Sequence, residues 1–100
     1  MARPNVNENK EEVVRKNLEN IILYFLKEQS MCGYDVTKTI FQRFHVVISP
    51  GAVYPRLYSL KEKGILDTEI KEGEGTKIYS LSEEGKKIVK NRSIDITKIL

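Results

Sequence analysis

The chain has 100 residues, of which 40% are hydrophobic and 31% charged, and its formal net charge is +3 at pH 7. This length suits one domain with one core, and the composition excludes a disordered tail protein. No apolar run is long enough to cross a bilayer, and the N-terminus lacks the apolar stretch of a secretory signal. We therefore predict a cytoplasmic protein with no membrane partner. The lone cysteine, Cys32, fits that compartment, because one thiol cannot close an internal disulfide.

The first predicted helix, Glu11–Lys27, follows a polar segment, residues 1–10, that we predict to be flexible. Its apolar residues recur at spacings of three and four and form one core-facing stripe. A shorter helix from Tyr34 to Phe44 follows, and we predict that Phe41 and Phe44 lie in the core. The short link between these two helices is typical of a helix-turn-helix unit.

A third helix is predicted after Ser49, because serine is a preferred N-cap and Pro50 fits the first helical position. The helix is expected to end at Gly64. Pro55 should bend it slightly rather than break it, since the hydrogen bond that proline removes would reach back only to Gly51.

The last third of the chain contains two β-branched, alternating stretches, Ile65–Lys71 and Thr76–Leu81. They flank a Glu-Gly-Glu-Gly loop, so the pattern predicts a β-hairpin. Ser82 is then a suitable N-cap for a fourth helix. The predicted fold is mainly α with a small β-hairpin: a winged helix-turn-helix with a three-helix core, a two-stranded wing and a C-terminal helix.

Three groups of residues in this order resemble the PadR family of transcriptional regulators. The family's Gly-Tyr at the start of the second helix is matched by Gly33-Tyr34, and its closing pattern after the wing by Tyr79–Gly85. Its third-helix pattern is matched by Ser49, Gly51, Tyr54, Leu57, Leu60 and Gly64.

The resemblance implies a homodimeric repressor that binds a pseudo-palindromic operator through its third helix and dimerises through its first and last helices. Residues 11–82 would then form the winged-helix DNA-binding domain and residues 83–100 the dimerisation helix. Some proteins of this kind also bind a small-molecule effector between these two parts. The wing departs from the family pattern, because its tip carries Glu72 and Glu74 and only Lys77 precedes its tyrosine.

A helical wheel of the third helix, at about 100° per residue, separates the predicted core face from the predicted DNA face. Tyr54 falls between the two and is expected to pack rather than to contact DNA. Near the start of the second helix, Tyr34 and Lys38 are placed to hold a phosphate. The predicted DNA-contacting residues are Tyr34, Lys38, Ser49, Gly51, Ala52, Pro55, Arg56, Tyr58, Ser59, Lys61, Thr76 and Lys77.

Two other functions fit the same fold. One is a winged-helix protein-interaction module, which would suit the acidic wing, and the other is a non-specific architectural DNA binder. No motif pairs a nucleophile with a base or cradles a phosphate, so an enzyme is not expected. We predict no cofactor and no metal site, because His45 is a lone histidine without partners at ligand spacing.

Overall fold

The computed structural model describes residues 9–99 and has the mainly helical fold with a hairpin wing that the sequence predicts. Among the described residues, no helix combines the length and the apolar character needed to span a membrane. The elements, in chain order, are helix α1 (Lys10–Lys16), α2 (Leu18–Glu28), strand β1 (Met31–Cys32), α3 (Gly33–Phe44), α4 (Pro50–Glu62), β2 (Leu66–Ile70), β3 (Lys77–Leu81), α5 (Glu83–Arg92) and a 3-10 turn (Ile96–Lys98).

The first predicted helix is divided at Asn17, so the prediction of one unbroken helix was wrong. The Asn17 side-chain amide donates to the Val13 carbonyl oxygen at 2.8 Å, and its backbone N–H donates to the carbonyls of Val13 and Val14. An asparagine side chain that bonds nearby backbone groups competes with the helical pattern, which explains the break. Residues 1–8 of the predicted flexible segment lie outside the described residues, whereas Asn9 caps α1 and Lys10 begins it.

The core is built around α2, whose Ile21, Ile22 and Leu23 are fully buried. The other helices and the sheet each contribute apolar residues to the same cluster. Phe44 is buried, but the prediction that Phe41 lies in the core was wrong, because its side chain is 50% exposed. Helix α3 buries a narrow stripe, and Phe41 lies beside it with its ring against the edge of the His45 ring, 6.3 Å between centroids.

The sheet has three antiparallel strands in the order β1-β3-β2. Strands β2 and β3 form the predicted hairpin, with Leu66 opposite Leu81, and each is slightly shorter than expected. Strand β1 was not predicted: Met31 pairs with Tyr79, and a two-residue strand is too short for an alternating pattern to indicate it.

The Ser82 hydroxyl connects α5 to the turn after α4. Its oxygen accepts the N–H of Gly85 at 3.0 Å, which confirms the predicted N-cap. The same hydroxyl lies within hydrogen-bond distance of the carbonyls of Gly64 and Ile65. Helix α5 ends at Arg92 instead of continuing to the C-terminus. Ser93 adopts a left-handed backbone conformation there, with φ of 50°.

The chain after α5 turns back onto its own domain. Ile96 is buried, and the 3-10 turn contacts α2. The turn is capped by Asp95, whose carboxylate accepts both the hydroxyl and the N–H of Thr97, at 2.6 and 3.0 Å. The Thr97 hydroxyl, followed by the backbone N–H, holds the pKa of Asp95 below its usual range. Leu100 lies outside the described residues.

Candidate nucleic-acid interface

Helix α4 has one buried face and one open face. Val53, Leu57 and Leu60 are buried, which fixes the orientation of the helix on the domain. The opposite face is exposed, and Tyr58 keeps 61% of its surface in solvent. Of the predicted DNA-contacting residues on this helix, Gly51, Pro55, Arg56, Tyr58 and Ser59 are exposed, and Ala52 and Lys61 are half-buried.

The N-terminus of α4 is open to solvent. Ser49 occupies the N-cap position with an extended backbone, but its side chain does not cap the helix as serine commonly does. Its carbonyl accepts the N–H of Ala52 at 3.0 Å, and in the described part of the chain no acceptor pairs with the Gly51 N–H. A free hydroxyl and a free N–H at a helix N-terminus are groups that can bind a phosphate.

Helix α3 presents Tyr34 and Lys38 one turn apart, both exposed. Tyr34 is 68% exposed, so its ring adds little to the core. Both residues belong to the N-terminal half of α3, and Gly33 at the start of that helix packs against Tyr54 of α4. The structure therefore places the predicted phosphate-contacting pair on the exposed surface of the helix turns that follow this contact.

Tyr54 packs at the contact between α3 and α4. A Cβ atom at Gly33 would overlap its ring and lie 2.8 Å from its hydroxyl oxygen, so only glycine allows this approach. Behind it, Tyr79 is buried; burial raises the Tyr79 pKa, and the neighbouring Tyr54 hydroxyl raises it further. Tyr54 is still 44% exposed. One part of its ring therefore packs α4 against Gly33 of α3, while another part faces solvent.

A groove of about 420 Å³ runs along α4, between this helix and the helices α1 and α2. One wall is formed by Arg15 of α1 and Leu18 of α2. The facing wall is formed by α4 residues that sequence analysis assigned to the DNA face: Gly51, Ala52, Pro55, Arg56 and Ser59. Arg15 was not among the predicted contacts, because its position beside α4 depends on how the helices pack and no pattern within the first helix indicates it.

The wing residues lie apart from this groove. Thr76 is half-buried and Lys77 exposed, at the loop end of the hairpin. The exposed tip carries Glu72 and Glu74, and the Lys71 ammonium lies 3.5 Å from a Glu74 carboxylate oxygen. Lys71 and Glu74 neutralise each other in this ion pair, so Glu72 leaves the tip with a net negative charge.

A larger cleft, of about 700 Å³, opens between the end of α2, strand β3 and α5. No pattern in the sequence indicates this cleft, since its walls come from distant parts of the chain. Its lining combines apolar side chains with basic and hydroxyl groups and, in the part of the chain that the structure describes, includes no carboxylate. The principal residues are Leu26, Leu81, Val89, Ile94, Lys27, Lys86 and Lys90.

Three helices around a core, with α3 and α4 in helix-turn-helix arrangement and a hairpin after them, define a winged-helix protein. A model of the PadR-like family of transcriptional regulators matches residues 22–91, and the chain belongs to that family.

Known proteins agree with this assignment. The chain is 33% identical over 76 residues to the transcriptional activator GvpE of Haloferax mediterranei, a match that covers 75% of this chain and 38% of that relative. It therefore spans about two-fifths of the curated relative's length. Its structure is similar to that of a transcriptional regulator from Clostridium thermocellum, with a TM-score of 0.73, 26% identity and 82% of each chain covered. The structure is also similar to that of a PadR family regulator from Eggerthella lenta, with a TM-score of 0.72 and 25% identity. That match covers 82% of this chain and 73% of the Eggerthella chain.

Proposed function

We propose that this chain is a sequence-specific double-stranded DNA-binding protein that acts as a homodimeric repressor in the cytoplasm. The observation that carries the proposal is the open face of α4, which combines small residues, an exposed aromatic residue and an arginine with a free helix N-terminus. These are the features of a helix that enters the major groove with its N-terminal end first.

The chemistry of each position supports a division of roles. Gly51 and Ala52 are small enough for the helix backbone to approach base edges. The Gly51 N–H and the Ser49 hydroxyl suit a phosphate, and Arg56 suits either a guanine edge or a phosphate. Tyr34 and Lys38 would hold the backbone of one strand, so that α3 and α4 dock together.

A two-fold dimer would place two α4 helices about 10 base pairs apart, so that each half of a pseudo-palindrome meets one helix. Helices α1 and α5 are the elements proposed to form the interface, and half-buried Ile88 offers α5 an apolar residue for it. Repression would follow from occupation of a promoter. The activator name of the Haloferax relative makes the sign of regulation a separate question from DNA binding.

We also propose that a small-molecule effector, where one acts, binds in the cleft between α2, β3 and α5. Its apolar side chains, together with Lys27 and Lys90 and with no carboxylate among the described lining residues, suit a molecule with an apolar body and an anionic group; the third lysine of the lining, Lys86, pairs with Glu83. Such a ligand would contact α5, the element proposed for dimerisation, and would thereby affect DNA binding.

The first experiment is a fluorescence-anisotropy titration of the protein against DNA from upstream of its own gene and against a scrambled duplex, at low and moderate salt. A specific regulator should bind the upstream DNA more tightly, with an affinity that falls as salt rises. Equal affinity for both duplexes would indicate an architectural DNA binder, and no binding would indicate a protein-interaction module.

Arg56→Ala should weaken binding to the upstream DNA about tenfold or more, as expected for a lost arginine contact to a base or phosphate. Arg43→Ala is the matched control, because Arg43 pairs with Glu28 at 3.2 Å, at the C-terminal ends of α3 and α2. An Arg56→Ala variant that binds like the control would remove Arg56 from the interface.

A further inference from the structure

Arg15 is the one basic side chain of the groove wall that faces α4. On α4 the groove is lined by Gly51, Pro55 and Ser59 of the outward face and by Ala52 and Arg56 of one flank, so it extends from the outward face onto that flank. When a helix lies in the major groove, its flanks face the sugar-phosphate backbones, while its outermost ridge faces the base edges. A cation across the groove from that flank is therefore close to the path of one DNA strand.

The guanidinium group of Arg15 keeps donors available. Its Nε donates to Glu11 at 2.9 Å, an ion pair within α1, and no described residue pairs with its two terminal nitrogens. Arg56 lines the same groove and has no ion-pair partner among the described residues. Among residues 9–99 no carboxylate lines the groove, so its described lining presents two arginines and no anion.

We infer that Arg15 binds a DNA phosphate, and that Arg15 and Arg56 together hold one strand of the backbone in the groove between α1 and α4. This inference rests on the proposed function and adds to it. It gives α1 a role in DNA binding, besides the dimerisation that the family resemblance implies, and it assigns Arg15 to positioning the protein rather than to choosing the sequence.

Arg15→Ala should weaken binding to the upstream duplex about eightfold at 0.1 M salt. Each lost phosphate contact makes the slope of log K against log salt less negative by about 0.9, which amounts to about eightfold over the tenfold range from 1 M to 0.1 M salt. The scrambled duplex should be affected by a similar factor, since a phosphate contact carries no sequence information. Arg43→Ala is the control: its side chain is 47% exposed against 45% for Arg15, and it also forms one ion pair. It should leave both affinities unchanged.

Glu11→Gln separates a phosphate contact from a structural role. If Arg15 acts only through its ion pair with Glu11, both variants should weaken DNA binding by similar, small factors. If Arg15 binds a phosphate, the variants should act in opposite directions, because Glu11→Gln removes a negative charge beside the DNA and releases the guanidinium group. Helix content measured by circular dichroism, unchanged in both variants, shows that α1 remains folded.

One result overturns the inference: Arg15→Ala binds both duplexes as tightly as Arg43→Ala does and shows the salt slope of the unaltered protein. This result counts against the inference when the unaltered protein still prefers the upstream DNA. Failure of the proposed function gives a different result, since the unaltered protein would then show no preference or no binding at all.

Discussion

Gly33 and Gly85 both lie where a Cβ atom would collide with a neighbour, but the two neighbours differ in how far they can move. At Gly33 the neighbour is the end of the Tyr54 ring, and at Gly85 it is the backbone carbonyl of Ile65. A half-exposed ring can rotate toward solvent, whereas a carbonyl in the turn before β2 cannot move without shifting the backbone. The same substitution should therefore have different effects at the two sites.

Gly85→Ala should lower the free energy of unfolding by about 1–3 kcal/mol, as overpacking of a rigid site commonly does. For a domain of this size, the melting temperature should fall by about 4–8 °C for each kcal/mol. Gly33→Ala should change stability by less than about 1 kcal/mol but should weaken DNA binding, because the displaced Tyr54 supports α4. Thermal unfolding and anisotropy titrations of both variants would test this, and a Gly33→Ala variant with unaltered affinity would show that Tyr54 does not position α4.

Single residues also show how far the sequence predicts the site. The exposed face of α4 follows from the spacing of Val53, Leu57 and Leu60, so periodicity was enough to place Arg56 and Tyr58 at the surface. Arg15 was missed because its position beside α4 depends on packing between helices. Phe41 was misplaced for a related reason: the wheel shows which residues share a face, but the neighbours of α3 decide how wide its buried stripe becomes.

At the scale of elements, the sequence predicts every long helix and both hairpin strands. It does not predict the features that depend on a single short-range hydrogen bond or on pairing between distant strands. The break at Asn17 depends on one side-chain bond to the backbone, and β1 exists only because β3 is available as a partner. Helix α5 ends early at Ser93, where the backbone turns left-handed without a glycine. None of these three features leaves a periodic pattern.

The acidic tip of the wing allows a prediction about the hairpin as a unit. If the wing lies along the DNA backbone, Glu72 and Glu74 oppose binding, and Glu74 also holds the Lys71 ammonium. Replacing both with glutamine should strengthen binding to the upstream duplex roughly three- to tenfold at 0.1 M salt, through reduced repulsion and one freed cation.

The control for the wing is a pair of substitutions with the same change in net charge. Glu83→Gln with Glu84→Gln alters two acidic residues at the start of α5. That variant should bind DNA nearly as the unaltered protein does, since long-range effects of net charge are screened within about 8–10 Å at such salt. Equal gains from both double variants would show that net charge, and not the position of the wing, controls affinity.

On the scale of the whole molecule, one side chain joins elements that are far apart in the sequence. Arg92, at the end of α5, donates to a carboxylate oxygen of Glu19 at 2.9 Å and to the side-chain oxygen of Asn20 at 2.8 Å. These bonds connect the end of the domain to the beginning of α2, across 73 and 72 positions of sequence. They hold α5 against the helix around which the core is built.

Arg92→Ala should therefore lower the free energy of unfolding by about 1 kcal/mol, the usual contribution of hydrogen bonds to a charged group that remains partly in solvent. Lys86→Ala is the control on the same helix: its ion pair with Glu83 spans only three residues and is more exposed, so its loss should cost less than about 0.5 kcal/mol. Urea unfolding followed by circular dichroism measures both. Equal losses of unfolding free energy in the two variants would mean that packing of Val89 and Ile96, rather than Arg92, keeps α5 in place. A larger loss for Arg92→Ala would show that this long-range connection stabilises the domain as a unit.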